Sequence, residues 1–362
     1  MERFPFKRTG LPLILAVGLL FVSAGRAAET NESKLWFKQP ARDWNEALPV
    51  GNGRLAAMVF GQVQKERIQL NEESLWSGQK INNNNPEALS HLKDIRQLLL
   101  GGKNIEAVRL ADKYLLGTPP RVRSYQSLGD LWLEFDAGQK VEGYRRELDL
   151  RTGISSVSYE TDGVNFNREV FVSAPDNVIV IHISSSKDSS LNVKISLSRE
   201  QDAVVRAATG GELHLTGQVL DMADPKSGPS GEHMRFAARL LAIPSGGQIK
   251  VINNSLLVSG ATSLTLFITA ATDYQFARLD LDRSIDPAAV CDEIIAKLKG
   301  KSFEAVQAAH IADHKALFDR VQIDLGGTPG PDIPTDERLN AVIKGAEDPG
   351  LDHQFFRPAA GP

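Results

Sequence analysis

The sequence predicts a mainly β protein: packed antiparallel sheets with an inserted helical pair, followed by a helical segment. Three observations predict it. Between residues 128 and 271 the chain is a series of medium-length apolar runs separated by turn residues, the pattern of packed antiparallel sheets. Two runs with apolar residues at helical spacing, near 86–100 and 105–115, interrupt the β pattern early. After Asp273 the signal becomes helical.

Taken in order, residues 54–60 and 66–70 read as strands around a turn near Gly61. Pro86-Glu87-Ala88-Leu89 opens a helix that ends at Gly101-Gly102, where a glycine can take the left-handed conformation of a helix end. The second helix ends at Gly117-Thr118-Pro119-Pro120. Residues 131–135 alternate, and runs 154–159 and 165–172 flank Asp162-Gly163, a strong hairpin signal. Runs 178–183, 191–197, 213–219, 234–242 and 264–269 continue the series. Helices are expected over 287–299 and 303–318, a short strand over 321–325, a Gly/Pro connector over 326–334, and a helix start at Thr335.

A chain of 362 residues suffices for one large or two ordinary domains. Its 41 basic and 45 acidic residues balance, with no basic stripe, so no nucleic-acid partner is expected. Arg3, Lys7 and Arg8 precede an apolar run over 11–22, too short to span a bilayer comfortably. This reads as a signal peptide over residues 1–27, cleaved near Ala24 or Ala27. The expectation is an exported protein, periplasmic or extracellular, with no membrane contact after cleavage. Cys291, the single cysteine, allows no internal disulfide and lies on an apolar helical pattern, so a buried, inert thiol is expected.

The densest block is 35–78. It holds three of the four Trp (Trp36, Trp44, Trp76), the carboxylates Asp43, Glu46, Glu72 and Glu73, and the amides Asn45, Asn52 and Asn71. Gly51-Asn52-Gly53 reads as a turn feeding a strand. Glu72 and Glu73 are adjacent, so on a strand they face opposite ways and cannot clamp one bond. Whether Glu46 and Glu72 meet is open from sequence. Candidates for substrate binding or for a domain interface are Trp44, Asn45, Glu46, Asn52, Arg54, Asn71, Glu72 and Trp76, because aromatic faces and planar amides suit sugar recognition and Trp is also a common core anchor. His310 and His314 lie one helical turn apart and could face a metal, but no third ligand is evident. Surface histidines on a helix are expected instead, with no metal and no cofactor.

Several segments carry a family resemblance. They are 43–49 (DWNEALP), 51–55 (GNGRL), 67–72 (RIQLNE) with 75–78 (LWSG), 125–131 (YQSLGDL), and 310–314 (HIADH) running into 317–321 (LFDRV). They are colinear, and they resemble the N-terminal domain and linker of the glycoside hydrolase family 95 α-L-fucosidases. The resemblance implies a β super-sandwich over 28–275, a helical linker over 276–350 leading to an (α/α)6 catalytic barrel, and an aberrant tail over 351–362. It also implies inverting hydrolysis of terminal L-fucose, a fucosylated glycan as partner, and no cofactor. The resemblance implies that the family's general acid and its water-activating residues lie on the barrel, which is expected to be absent here, so no position is expected to inherit a catalytic role. A frame shift after residue 350 or a truncated gene is expected, along with an inactive chain that exposes its barrel-facing surface and self-associates. The alternative reading is a free-standing carbohydrate-binding β-sandwich. Related hydrolases and phosphorylases share the plan, so fold alone leaves the substrate open.

Overall fold

The computed structural model describes residues 33–136, 140–231, 233–321 and 332–351. The expected signal peptide, the strand over 321–325, most of the connector after it and the tail beyond residue 351 lie outside the described residues. Two antiparallel sheets face each other. The larger runs β1 (Lys34–Phe37), β6 (Glu142–Asp149), β7 (Ile154–Thr161), β8 (Val164–Ser173), β9 (Val178–Ser185), β16 (Ser263–Thr272), β13 (Arg235–Ser245), β12 (Glu212–Gln218) and β11 (Ala203–Ala208). The smaller runs β14 (Gln248–Ile252), β15 (Ser255–Ala261), β10 (Leu191–Ser198), β5 (Gly129–Phe135), β4 (Lys65–Glu72), β3 (Leu55–Val59) and β2 (Leu48–Gly51).

The core between the sheets follows the two-residue period of a strand. Ile68, Leu70, Leu131, Leu133 and Ile195 on one sheet meet Val170, Val172, Ile179, Ile181, Leu240 and Leu266 on the other. On the larger sheet the alternate residues are buried as well. Phe171, Val178, Val180, Leu241 and Phe267 point away from the smaller sheet. They are covered by α3 (Pro287–Leu298) and α4 (Phe303–Phe318) through Ile295, Leu298 and Val306. A strand covered on both faces has no polar side, which explains the unbroken Val-Ile-Val-Ile run of β9. Cys291 sits in this helix-to-sheet layer beside Ala237 and Ala271, and burial pushes its thiol up to about 12, so it is protonated and unreactive.

Local chemistry sets the boundaries. Asp162 and Gly163, at φ 51° and 74°, form the tight turn joining β7 to β8. Helices α1 (Ala88–Leu100) and α2 (Asn104–Tyr114) sit between β4 and β5, which pair with each other, so the helical pair is an insertion in the sheet connection. Gly102, at φ 73°, turns the chain after α1. Only Ile95 and Ala107 of this pair are buried, and Leu89, Leu100, Ile105 and Val108 are exposed. Asp286 caps α3 and Ser302 caps α4 through side-chain bonds to backbone N–H groups.

The structure departs from expectation in two places. The segment after Asp273 is not immediately helical: β17 (Tyr274–Gln275) and β18 (Asp280–Leu281) form a small hairpin first. The histidines of α4 are not surface groups. His310 is buried, stacked on Phe171, and its Nε2 bonds the Thr152 carbonyl at 2.8 Å. His314 Nε2 meets the Leu150 carbonyl at 2.9 Å. The reason is that α4 packs across β8 and the turn after β6, so its histidine face points inward. Burial holds the His310 pKa below its ordinary value.

Gly61 lies between β3 and β4 at φ 79°, and a Cβ there would sit 2.6 Å from both Arg146 Cδ and the Tyr144 hydroxyl. Gly61→Ala is expected to cost about 2 to 4 kcal/mol through left-handed strain plus overpacking, read as a lower urea midpoint with an unchanged slope.

Candidate functional site

The sequence candidates separate into two groups at opposite ends of the β2–β4 ribbon. Leu48 pairs with Val59 at one end, while Leu55 pairs with Glu72 at the other. Trp44, Asn45 and Glu46 form a short 3₁₀ turn before β2, capped by Asp43. Asn52, Arg54, Asn71, Glu72 and Trp76 gather at the far end. Glu46 and Glu72 therefore do not meet.

At the first end, the Glu46 carboxylate accepts from the Arg42 backbone and guanidinium, which holds its pKa below the ordinary range. Its carbonyl accepts from Arg146 Nη1 at 2.6 Å. Trp44 is 52% exposed, and its indole N–H donates to Gln69 on the outer face of the smaller sheet. The Asn45 side chain is exposed. Nearby, Glu66 and Arg168 form an ion pair at 3.0 Å between the sheets, at 0% and 2% side-chain exposure. Sequence reading missed this pair because an alternating strand with a Glu or Arg inside looks like one turned the other way.

At the far end, the Asn52 carboxamide folds the turn: its Oδ1 accepts from the N–H groups of Arg54 and Leu55, and its Nδ2 donates to the Ser173 carbonyl of the larger sheet. This sets Arg54 across the sandwich. Arg54 donates to Asn177 Oδ1 at 2.6 Å and to the Ala270 carbonyl at 2.6 Å, and lies 3.4 Å from Glu72 Oε1. Glu72, 3% exposed, accepts from the N–H and hydroxyl of Ser74, whose hydroxyl also meets Thr272 Oγ1 at 2.5 Å. Tyr125 donates to Asn71 Oδ1 and the Glu72 carbonyl. Asn52, Arg54 and Glu72 thus join the two sheets from within.

Trp76 stands above this network, 44% exposed. Its N–H donates to the Glu73 carbonyl at 3.2 Å, and its ring meets Tyr125 edge-on at 5.5 Å. Beside it opens a cleft of about 380 Å³, lined by Glu73, Ser74 and residues 76–80 and by Tyr274, Phe276, Leu279, Asp280 and Leu281 of the β17–β18 hairpin. Buried Asp273 anchors the hairpin by accepting from Arg235 at 2.9 Å and pairing with Arg283 at 2.5 Å. The hairpin residues were not among the sequence candidates. Two aromatic residues within three positions, Tyr274 and Phe276, were the available signal. Among the described residues no cluster of three or more His, Cys, Asp or Glu side chains could hold a metal.

Comparison with known proteins places the chain in a class. The family described as "Glycosyl hydrolase family 65, N-terminal domain" matches residues 35–277, and "Glycosyl hydrolase family 95 catalytic domain" matches residues 302–359. The chain belongs to the glycosyl hydrolases that carry this family 65-type N-terminal domain. Within that class it is similar to the family 95 fucosidases. It is 32% identical to Alpha-L-fucosidase 2 of Arabidopsis thaliana over 347 residues, 90% of this chain and 41% of that protein. It is 29% identical to Probable alpha-fucosidase A of Aspergillus niger (strain ATCC MYA-4892 / CBS 513.88 / FGSC A1513) over 333 residues, 86% of this chain and 40% of that protein. The chain therefore spans about two fifths of the length of these relatives. Among solved structures, a putative kojibiose phosphorylase from human microbiome has a TM-score of 0.43 at 10% identity, covering 80% of this chain and 38% of that one, a likeness too slight to bear on function.

Burial raises the Glu72 carboxyl above its ordinary pKa, against the pull of Ser74 and Arg54. The folded chain then holds this proton to higher pH than the unfolded chain, so the Glu72 contribution to stability is lost as pH rises above the ordinary carboxylate range. Glu72→Gln removes that titration. The stability of Glu72→Gln relative to the native chain is expected to improve as pH rises from the ordinary Glu pKa of about 4.3 through the raised folded-state value, measured by urea unfolding at several pH values.

Proposed function

We propose that this chain is the N-terminal part of an exported α-L-fucosidase-like glycoside hydrolase. The full-length enzyme of this type removes terminal L-fucose from glycans with inversion at the anomeric carbon. One observation carries the reading: the family 65-type N-terminal match and the family 95 catalytic match follow in order along the chain that aligns with Alpha-L-fucosidase 2. Export, with residues 1–27 removed, is part of the same proposal and rests on the charged and apolar N-terminal run.

Inverting hydrolysis needs an acid on one side of the scissile bond and an activated water on the other. In this reading the sandwich supplies neither, and its role is to support the catalytic domain. The polar network of Asn52, Arg54 and Glu72 supports that view, because its groups are engaged with one another and with the opposite sheet. The 362-residue chain is expected to leave a fucosyl substrate intact. A chain extended by the remainder of a family 95 catalytic domain is expected to release fucose, with the inverted anomer seen first by proton NMR. Release with retention, or no release by the extended chain, would count against the reading.

The exposed apolar side chains Leu89, Leu100, Ile105 and Val108 on the helical pair support self-association of the isolated chain. Sedimentation velocity is expected to show mass rising with concentration, and Leu100→Glu with Ile105→Glu is expected to return the chain to a monomer.

A further inference from the structure

We propose that the cleft between Trp76 and the β17–β18 hairpin is a monosaccharide-binding site of the sandwich itself, taking a pyranose with one apolar face. The inference does not require the chain to be hydrolytic. It rests on how the cleft is built. Trp76 and Phe276 are large aromatic groups left 44% and 51% exposed at the walls of one cleft. Neither is needed to fill the core.

Both are held in place. Trp76 is fixed by its bond to the Glu73 carbonyl, by the edge contact with Tyr125 and by backbone pairing between Trp76 and Tyr125. Phe276 stands edge-on to Tyr274 at 5.0 Å and 87°. The Lys80 ammonium bonds the Arg278 carbonyl at 3.3 Å, so the loop and the hairpin are tied across the cleft. The ring orientations are therefore set before any ligand arrives, which lowers the ordering cost of binding.

The lining fits a sugar better than a purely apolar ligand. Buried Met234 and half-buried Leu281 give the cleft an apolar part, and Glu73 and Asp280 are also among its lining residues. Among the described residues no hydrogen bond engages the Glu73 carboxylate, and Asp280 accepts only from the neighbouring Leu281 N–H. A pyranose presents C–H groups on one face for an aromatic ring and hydroxyls around its edge for carboxylates. A 6-deoxy sugar adds a methyl group suited to the Met234 and Leu281 side chains. Trp44, the other exposed tryptophan of the same sequence block, lies on the outer face of the smaller sheet and lines no part of this cleft.

The test is a titration of the full chain with L-fucose, D-galactose and D-glucose, followed by calorimetry and by proton NMR line broadening of the sugar. Saturable binding of L-fucose in the low-millimolar range is expected, a strength in keeping with about eleven non-hydrogen atoms. Trp76→Ala and Phe276→Ala are each expected to weaken it about tenfold or more, a loss of one aromatic wall. Trp76→Phe is expected to restore part of it, and Trp132→Phe, at a β5 residue whose indole N–H bonds Ser198 Oγ and which lines no part of the cleft, to leave it unchanged. Both wall residues are exposed, and circular dichroism is expected to show the fold intact in each variant. No saturation by any of the three sugars overturns the proposal, as does binding that survives both alanine variants. Fucose release is read in a separate assay, so sugar binding without hydrolysis supports this site whatever becomes of the enzymatic reading.

Discussion

The end of the sandwich that carries the densest part of the sequence depends on one cluster, in which the part-buried Arg54 guanidinium lies 3.4 Å from the buried Glu72 carboxyl group. Both come from the smaller sheet, yet most of their remaining bonds reach the larger one. Arg54 holds the Asn177 side chain and the Ala270 carbonyl, and Glu72 reaches Thr272 through Ser74. Burying such polar groups is a poor source of net stability, because desolvation offsets much of the attraction. Its value here is positional. Apolar packing between two sheets tolerates sliding, whereas a fork of charged hydrogen bonds does not. The contact fixes which residue of one sheet lies over which residue of the other, and both walls of the cleft at Trp76 are built from the chain leading out of this cluster.

The opposite end repeats the device with different parts. Glu66 and Arg168 pair between the sheets, Arg168 also holds the Gln62 carbonyl, and Gly61 donates its N–H to Glu66. Arg146 takes the Glu46 carbonyl and stacks on Phe37. The apolar core thus lies between two polar clasps. Each clasp uses a turn of the early block, Gly51-Asn52-Gly53 at one end and Gly61 at the other. That accounts for the crowding of carboxylates, amides and glycines into so short a stretch.

Much of the architecture was legible in sequence where chemistry is local. The Asp162-Gly163 hairpin, the helix ending at Gly101-Gly102 and the long apolar strands all announce themselves within a few residues. The strands β1, β2, β6, β11, β14 and β15 did not. Several are short or lie at sheet edges, and β6 (EGYRRELD) buries an arginine where alternation would call for an apolar residue. The candidate site was legible only in halves. Trp76 and its acidic neighbours stood out, but the opposite wall comes from a hairpin about two hundred residues later, and no local pattern reports that meeting. The histidines of α4 show the same limit, since their spacing says they share a face and cannot say that the face is turned inward.

The position of α4 bears on how this protein can be divided. By sequence similarity the N-terminal match stops at residue 277 and the catalytic match begins at residue 302. By packing, α3 and α4 form the outer cover of the nine-stranded sheet, sealing Phe171, Val180 and Phe267. The inherited module and the folding unit therefore have different edges. A gene cut at the similarity boundary would produce a sandwich with an open apolar back, and the first helix of the catalytic match is already committed to its neighbour's core. Domain exchange among such enzymes would have to carry these helices with the sandwich or replace them with others that fit the same sheet.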